Sequence, residues 1–596
     1  MSEKLKRRDE ISEHDKWKIE DLFESDSLWQ DEYDNVVSQI DIFVKFKGKL
    51  RESQQLINCL EARDRISKSV QKLYVYANMK LHQDSTNSKY QTLSDKASSI
   101  FTEVSKTISF IESEVLEMED KELENIIKSD DRFEIYEHYL EDVTRIRKHI
   151  LTSELEELLS STRNIANVPQ NIYSMITNAD IKFGVVLDDD GKEVALTHAR
   201  YNSLIRSKSQ SVRRQAFKTY YESYIKQKYT LATTYSASVK ADLFFTKSKK
   251  YKSSLERALF NYNIPNEVYR NLISVVNGNL NLMHRYVALK KKMLKLSEIH
   301  IYDLLADTSS ISVDVPYHHA KQQVIESVKI LGAEYASKVE YGFNNGWVDV
   351  YENVGKRSGA YSWGAYGTHP YILMNYNNKM ADMFTLAHEM GHAMHSYNSW
   401  KTQPYIYSDY SIFLAEVAST VNESLLMDYL LNNSEDSKEK EYLLNHYLDQ
   451  FRGTLFRQAM FAEFEMITHE MVENDEVLTV DSLCAVYRNL NIKYYGKDII
   501  MDSEIDMEWS RIPHFYDAFY VYQYATGFSS AIALSKKILS KEKGSIEAYT
   551  KFLESGSSDY PINVLKAAGV DLTSKETIEN AMSVFKELLE KMENMM

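Results

Sequence analysis

The segment 383–394 is an apolar run without proline that carries two histidines four residues apart, and it constrains the fold more than any other part of the chain. Residues i and i+4 lie about one turn apart on one face of an α-helix, so a helix here would let His388 and His392 reach one metal ion. Glu389 would be rotated toward the side where water attacks, an arrangement typical of zinc hydrolases. Gly391 costs a helix interior about 1 kcal/mol relative to alanine, so we expect another segment to approach it closely. The alternative interpretation is a core helix whose two histidines are merely hydrogen-bonded.

A hydrolytic zinc site needs a third protein ligand and an open position for water. Glu416 meets this need, because it lies 24 residues beyond His392 in a second apolar stretch with helical spacing. Two antiparallel helices joined by the loop around Pro404 would bring Glu416 back to the histidine pair. We therefore predict one Zn²⁺ ion held by His388, His392 and Glu416. Glu423, two turns further along the same face, is predicted to be either a hydrogen-bond partner of a ligand histidine or a solvated carboxylate.

Further segments, in chain order, are similar to those of one known family: 73–81, 83–84, 359–362, 370–375, 416–419, 512–516 and 520–527. Together with the His-Glu-x-Gly-His segment, they make essentially the whole chain resemble oligoendopeptidase F, in the thimet-oligopeptidase-like group of zinc metallopeptidases. The resemblance implies a cytosolic endopeptidase of short peptides. It also implies a mainly α fold, a two-lobed helical clam around a deep substrate channel.

The composition agrees with a helical protein. Proline and glycine, which interrupt helices, number only 7 and 18 among 596 residues. A chain of this length is also expected to form two or more lobes. The net charge of -16 argues against a nucleic acid or an anionic membrane as partner, since phosphate binding relies on clustered lysine and arginine. With the resemblance, short peptides are the predicted partners, and the oligomeric state stays open.

The boundary between the two lobes is predicted near a β-hairpin. Phe183, Val185 and Leu187 alternate with polar residues, a turn follows at 188–191, and Thr197 is a plausible helix N-cap. We therefore predict an N-terminal helical lobe over 1–195 and a catalytic domain over 196–596. The first 18 residues are rich in charge and lack an apolar core for export, so a cytoplasmic location is expected.

A second β pattern lies upstream of the histidines, where 347–351 precede a glycine-rich loop and a short apolar run. A strand beside the zinc helix can bind an extended peptide through its main chain, and flexible glycines would let the loop close over it. The alternative is a structural strand with an ordinary connector. The residues predicted to bind substrate are Gly359, Tyr371, Ile372, Leu373 and Asn375.

The tyrosine-rich segment 514–524 is predicted to complete the catalytic machinery. Hydrolysis of a peptide bond develops an oxyanion that needs hydrogen-bond donors beyond the metal. The resemblance implies that a histidine and a tyrosine of this region supply them, and His514, Tyr520 and Tyr522 match best. Tyr522 is the first choice as the tyrosine donor, although the tyrosine spacing of the family can also be aligned with Tyr516 in this role. With 42 tyrosines in the chain, packing in the core is the competing interpretation for each one.

These residues together predict a zinc-dependent oligoendopeptidase in which Glu389 is the general base. A nearer alternative is a metallocarboxypeptidase on a similar helical clam, which would remove single C-terminal residues. A more distant one is an inactive peptide-binding clam. The presence of Glu389 together with all three predicted ligands argues against the inactive form.

Overall fold

The structure of the protein is a computed structural model that describes residues 5–308 and 314–596. The described chain is mainly α-helical with two small β-sheets, as predicted. It divides into two compact units that are discontinuous in sequence. Unit 1 comprises Met1–Lys148, Val313–Leu430 and Leu534–Gly569, and unit 2 comprises His149–Ser312, Leu431–Ala533 and Val570–Met596. The division of function at residue 195 stays a prediction.

Unit 1 contains twelve described α-helices, or most of each, and one sheet. The helices are α1 (Asp26–Gln39), α2 (Ser53–Gln83), α3 (Ser88–Ile108), α4 (Phe110–Leu116), α5 (Asp120–Ile127), α6 (Glu137–Arg145), α15 (Tyr317–Ser327), α16 (Ala333–Asn344), α17 (Met380–Thr402), α18 (Ile412–Asn433), α23 (Ser545–Glu554) and α24 (Pro561–Ala567).

The long helix α2 organises the core of unit 1. Its apolar residues, such as Leu56 and Leu73, recur at helical spacing and are fully buried. Trp29 of α1 is buried against this helix and donates its indole N–H to the Leu73 carbonyl oxygen at 2.9 Å. The same apolar cluster extends to Leu373 of the sheet, so α2 and the sheet share one core.

The sheet of unit 1 has the strand order β3, β5, β4, with β3 (Val348–Asp349), β4 (Tyr361–Trp363) and β5 (Tyr371–Leu373). Strand β5 is central: it is parallel to β3 and antiparallel to β4. The expected strands on either side of the glycine-rich loop are confirmed. Strand β4, which lies within that loop, was not anticipated.

Unit 2 contains the remaining helices, or most of each, and a hairpin. The elements are α7 (Ser153–Ala166), α8 (Val168–Met175), β1 (Val185–Leu187), β2 (Glu193–Ala195), α9 (His198–Leu204), α10 (Gln210–Ile225), α11 (Lys228–Ser248), α12 (Ser254–Phe260), α13 (Asn266–Gly278), α14 (Leu280–Met293), α19 (Ser437–Gln450), α20 (Arg457–Glu473), α21 (Val480–Tyr495), α22 (Tyr522–Leu539) and α25 (Glu576–Met595).

The predicted hairpin is confirmed. Val186 of β1 pairs with Val194 of β2 in an antiparallel register. The hydroxyl of Thr197 accepts the backbone N–H of Arg200 at 3.1 Å and so caps α9. Among the described helices, none combines the length and the apolar character that a membrane-spanning segment requires.

Candidate metal centre and active site

Two helices of unit 1 carry the candidate metal ligands. The start of α17 is fixed by Asp382, whose carboxylate accepts the backbone N–H groups of Asn377 and Lys379 at 2.8 and 3.0 Å. The helix then runs through the apolar segment that the sequence analysis singled out, and α18 follows it along the chain. A Cβ atom on Gly391 would lie 2.6 Å from the Cα atom of Ser419 on α18. The expected close approach at this glycine is therefore confirmed, and it draws the two helix backbones together.

His388, His392 and Glu416 lie close together at this helix contact. One ligand atom of each lies within 4.8 Å of the others. The two histidine Nε2 atoms are 3.1 Å apart, and His388 Nε2 is 3.6 Å from Glu416 Oε2. Two ligands at about 2.0–2.1 Å from a tetrahedral zinc ion lie roughly 3.3 Å apart, so these separations fit one ion of that size.

Glu423 contacts the first of these histidines from the far side. Its Oε1 atom is 2.6 Å from His388 Nδ1. An ionised carboxylate only accepts hydrogen bonds, so His388 Nδ1 is the donor. When the His388 ring is neutral, its lone pair is therefore on Nε2, which faces the cluster. Burial is the largest single effect and disfavours the charged imidazolium, but the hydrogen bond to Glu423 and the negative charges of Glu423, Glu389 and Glu416 together outweigh it and raise the pKa of His388 to about 9. A metal ion must displace this proton, which makes its binding pH-dependent.

Glu389 follows His388 on α17 and is buried, with 7% of its surface exposed. Burial raises the pKa of its carboxyl group to about 7, against the opposing effect of His388 and with a further rise from Glu416. The backbone N–H of Ser362 on β4 faces this carboxyl group and lowers its pKa. Its Oε2 atom receives no hydrogen bond from any described residue. This oxygen is thus left for a further donor.

A polar contact between neighbouring helices positions α18 against α17. Asn422 of α18 donates its side-chain amide to the Ala387 carbonyl oxygen at 3.4 Å, and it accepts the Tyr335 hydroxyl at 3.0 Å. The first bond resists sliding of α18 along α17, and the second joins α18 to α16. Sequence analysis missed Asn422, although its position one residue before Glu423 on the apolar face could have drawn attention to it.

The segment predicted to bind substrate lies in the middle of the sheet and not at its edge. Tyr371, Ile372 and Leu373 form the central strand β5 and are fully buried. The main chain of this strand is paired with β3 on one side and with β4 on the other. This leaves no free edge of β5 for an extended peptide. Asn375 donates its side-chain amide to the carbonyl oxygens of Arg357 and Gly359, at 3.0 and 2.7 Å. It therefore anchors the glycine-rich loop, which favours a structural role.

Gly359 itself is exposed and has φ +86°, a conformation that residues with a side chain rarely adopt. No described heavy atom lies within 4 Å of the point where its Cβ would be. A side chain would therefore find space here, and the backbone conformation explains the glycine. Whether the loop contacts substrate stays a prediction.

His514 and two tyrosines form an aromatic group in unit 2. The rings of His514 and Tyr520 are nearly parallel, with centroids 5.7 Å apart, and the Tyr524 hydroxyl lies 3.4 Å from His514 Nε2. All three side chains are half-buried, so their polar atoms can meet a ligand. Tyr524 was not singled out by sequence analysis. Its position four residues after Tyr520 is the pattern that could have indicated it, although Tyr520 itself precedes α22.

Tyr522 and Tyr516 have different surroundings. Tyr522 is 2% exposed and its ring packs 5.1 Å from that of Tyr269. Tyr516 shares a hydrogen bond with the Thr234 hydroxyl at 2.8 Å and stacks on Tyr173. Both tyrosines are thus engaged in the packing of unit 2, which favours Tyr520 over Tyr522 as the more accessible hydroxyl.

The fold and the site together define a class: mainly helical proteins that carry a His-Glu-x-x-His helix and a glutamate on the next helix, converging on a position for one metal ion. Comparisons with known proteins agree. The model of peptidase family M3 matches residues 203–584, and that of oligopeptidase F matches residues 114–183.

Relatives of this class resemble the chain over almost its whole length. Oligopeptidase PepF of Bacillus subtilis is 47% identical over 594 residues, which cover 99% of this chain and 89% of that protein. Group B oligopeptidase PepB of Streptococcus agalactiae is 39% identical over 99% of this chain and 98% of its own. The crystal structure of oligoendopeptidase-F from Enterococcus faecium superposes with a TM-score of 0.74 at 37% identity, covering 96% of this chain and 99% of that one. The chain belongs to peptidase family M3.

Proposed function

We propose that the protein is a zinc-dependent oligoendopeptidase that hydrolyses internal peptide bonds of short peptides. The observation that carries this proposal is the convergence of two imidazole nitrogens and one carboxylate on a single point, with a buried carboxyl group on the adjoining residue of the same helix. The names of the relatives, oligopeptidase and oligoendopeptidase, support short peptides as the substrate class.

His388, His392 and Glu416 are the proposed zinc ligands, because two neutral nitrogens and one carboxylate suit this metal. A zinc ion held there would supply Lewis acidity that polarises the scissile carbonyl and makes water more acidic. Glu389 accepts a proton from the attacking water and passes it to the leaving amine nitrogen. Glu423 holds His388 in the tautomer that keeps Nε2 free for the metal.

An extended peptide is proposed to bind along β4 rather than β5. In the described sheet, β4 is an edge strand, and its Ser362 already reaches the Glu389 carboxyl group. Pairing through the main chain recognises a peptide without demanding particular side chains. The Gly359 loop leads into β4 and would close over a bound peptide.

The proposed oxyanion donors are His514 and a tyrosine of the same segment. His514 can donate an imidazole N–H, and Tyr520 or Tyr522 a hydroxyl, to the charge that develops on the carbonyl oxygen. Exposure favours Tyr520, as the surroundings of Tyr522 are closely packed. The deep channel between lobes and the cytoplasmic location stay predictions.

The decisive experiment compares the wild-type protein with Glu389→Gln on a mixed set of peptides of about ten residues, with products identified by mass. The amide keeps the shape of Glu389 but is not a base, so we expect near-normal zinc content and activity lower by at least about a hundredfold. Glu340→Gln, an exposed change on α16, is the matched control and should leave activity unchanged.

Each other outcome points to a different function. Wild-type turnover by Glu389→Gln would remove this residue from the mechanism. Release of single C-terminal residues alone would favour a carboxypeptidase. Tight zinc with no hydrolysis of any peptide by the wild-type protein would favour a peptide-binding clam.

A further inference from the structure

A small cavity of about 40 Å³ lies within unit 2, and its lining is unusually rich in arginine. The lining includes Arg452 before α20, Arg457 at the start of α20, and Arg511 at the end of the 3-10 segment Ser503–Arg511. One water needs about 10–15 Å³ of such space, so the cavity can hold one small ion together with a water molecule. It is too small for a peptide side chain of ordinary size.

The lining carries more positive than negative charge. Its one acidic residue, Glu508, accepts hydrogen bonds from Arg457 at 2.6 Å and from Arg511 at 2.9 Å, both on Oε1. The other carboxylate oxygen accepts the Tyr487 hydroxyl at 2.6 Å. Burial alone would raise the pKa of Glu508, but the two arginines lower it to about 2, so the carboxylate is ionised. The single negative charge of Glu508 therefore compensates the guanidinium groups of both Arg457 and Arg511.

The third arginine, Arg452, shares its carboxylate partner with a lysine. Arg452 donates from Nε to Asp449 at 3.3 Å, but Asp449 also forms an ion pair with the buried Lys290 at 3.5 Å. Burial lowers the pKa of Lys290, and Asp307 opposes this effect together with Asp449. The cationic side chains here are four: Arg452, Arg457, Arg511 and Lys290. Even if Asp449 and Asp307 are counted in full beside Glu508, the carboxylates number only three. Buried charges are stable only when they are paired, so at least one further negative charge is expected.

A polar atom in the lining also lacks a partner. Asn491 is 1% exposed and donates its side-chain amide N–H to the Tyr487 carbonyl oxygen at 2.9 Å, which fixes the orientation of the amide. Its Oδ1 atom receives no hydrogen bond from any described residue. A water molecule inside the cavity could donate to this oxygen with one proton and to an anion with the other.

We propose that unit 2 binds one small monovalent anion of the size of chloride in this cavity, held by the guanidinium groups of Arg452, Arg457 and Arg511. The volume and the excess positive charge favour this ligand over an empty or purely hydrated cavity, and the Asn491 oxygen favours a water molecule beside the anion. The anion would fix the segment Ser503–Arg511 against α20. Because Arg511 is three residues from His514, occupancy is expected to order the chain that carries this histidine.

Crystals of the intact protein grown in sodium bromide provide the direct test. Bromide replaces chloride and scatters anomalously, so we expect one anomalous difference peak among the guanidinium groups of Arg452, Arg457 and Arg511. A cavity that contains only water under these conditions would overturn the proposal. This measurement needs no variant and is independent of folding effects.

Thermal unfolding at constant ionic strength provides the solution test. Replacing gluconate by chloride should raise the melting temperature along a saturating curve, by about 2 °C at ten times the dissociation constant. Arg457→Gln should abolish the rise. The matched control is Arg488→Gln on α21, which removes a partly exposed ion pair with Asp506 outside the lining and should keep the rise.

Two further results would overturn the proposal. One is a rise of the same size in Arg457→Gln, which would reflect a general salt effect. The other is a saturating rise with acetate or a short peptide but none with chloride or bromide, which would assign the arginines to a carboxylate ligand.

Discussion

Replacement of Gly391 by alanine is expected to weaken both the stability of unit 1 and its metal binding. In an unhindered helix interior, glycine to alanine stabilises by about 1 kcal/mol. Here the new Cβ atom would lie 2.6 Å from Ser419 Cα and 2.8 Å from the Ala418 carbonyl oxygen. Ordinary carbon–carbon contact begins near 3.5 Å, so α17 and α18 would have to separate by roughly 1 Å. Both neighbours are backbone atoms, which cannot rotate away.

The expected magnitudes follow from this separation. Overpacking of a core typically costs about 1–3 kcal/mol, so after the gain in helix propensity we expect a net loss of about 1 kcal/mol. For a unit of this size, that loss lowers the melting temperature by about 2 °C. Glu416 lies on α18, three residues before Ser419, and metal sites tolerate about 0.2 Å in ligand distance. We therefore expect zinc affinity to fall by at least about tenfold.

Two measurements check the Gly391→Ala prediction: thermal unfolding of the metal-free protein, and zinc affinity by competition with a chelator. Gly278→Ala is the control, since this glycine ends α13 and no described heavy atom lies within 4 Å of its would-be Cβ. It should be neutral or slightly stabilising. If Gly391→Ala is as stable as the control and binds zinc as the wild type does, the close approach of the helices does not constrain the site.

Three further changes test the remaining site residues. Glu416→Ala should lose most bound zinc with the fold retained, as measured by elemental analysis and circular dichroism, and full occupancy would refute its assignment as a ligand. Glu423→Gln should weaken zinc affinity by about 10- to 100-fold, because the amide no longer accepts the His388 N–H as a charged group, and an unchanged affinity would make Glu423 dispensable. Tyr520→Phe should lower kcat by about 10²-fold with little change in KM, while Tyr522→Phe should stay near wild type, and the reverse result would restore Tyr522 as the oxyanion donor.

The helical part of the site was predictable because its information is local. The four-residue spacing of His388 and His392 and the absence of proline nearby predict a helix, and Gly391 predicts a close neighbour. Glu416 required one further assumption, that the next apolar stretch returns as an adjacent helix. The structure places Glu416 in the same cluster as the two histidines, and short connections usually do join neighbouring elements.

The strand order of the small sheet was not predictable in the same way. An uninterrupted apolar run such as Tyr371–Leu373 is typical of a strand buried on both faces, which indicates burial but not which neighbours pair with it. The sequence Tyr361–Trp363 shows no comparable run and lies among glycines, so the edge strand beside Glu389 escaped notice. The sequence therefore indicated that a sheet accompanies the zinc helix, while the position of its free edge depended on long-range pairing.

The tyrosines show a second limit of the same kind. Tyr520, Tyr522 and Tyr524 follow one another at intervals of two residues, so spacing alone does not indicate which of them faces a ligand. What separates them is tertiary packing: Tyr522 points into the packed interior near Tyr269, whereas Tyr520 and Tyr524 flank His514. The turn before them adds a further constraint, because Phe519 has φ +60° and donates its backbone N–H to the buried Glu465 at 2.9 Å. Phe519, a strained residue held by a buried carboxyl group, fixes the direction in which the side chain of Tyr520 leaves the backbone. Glu465, distant in sequence, thus contributes to which tyrosine is accessible.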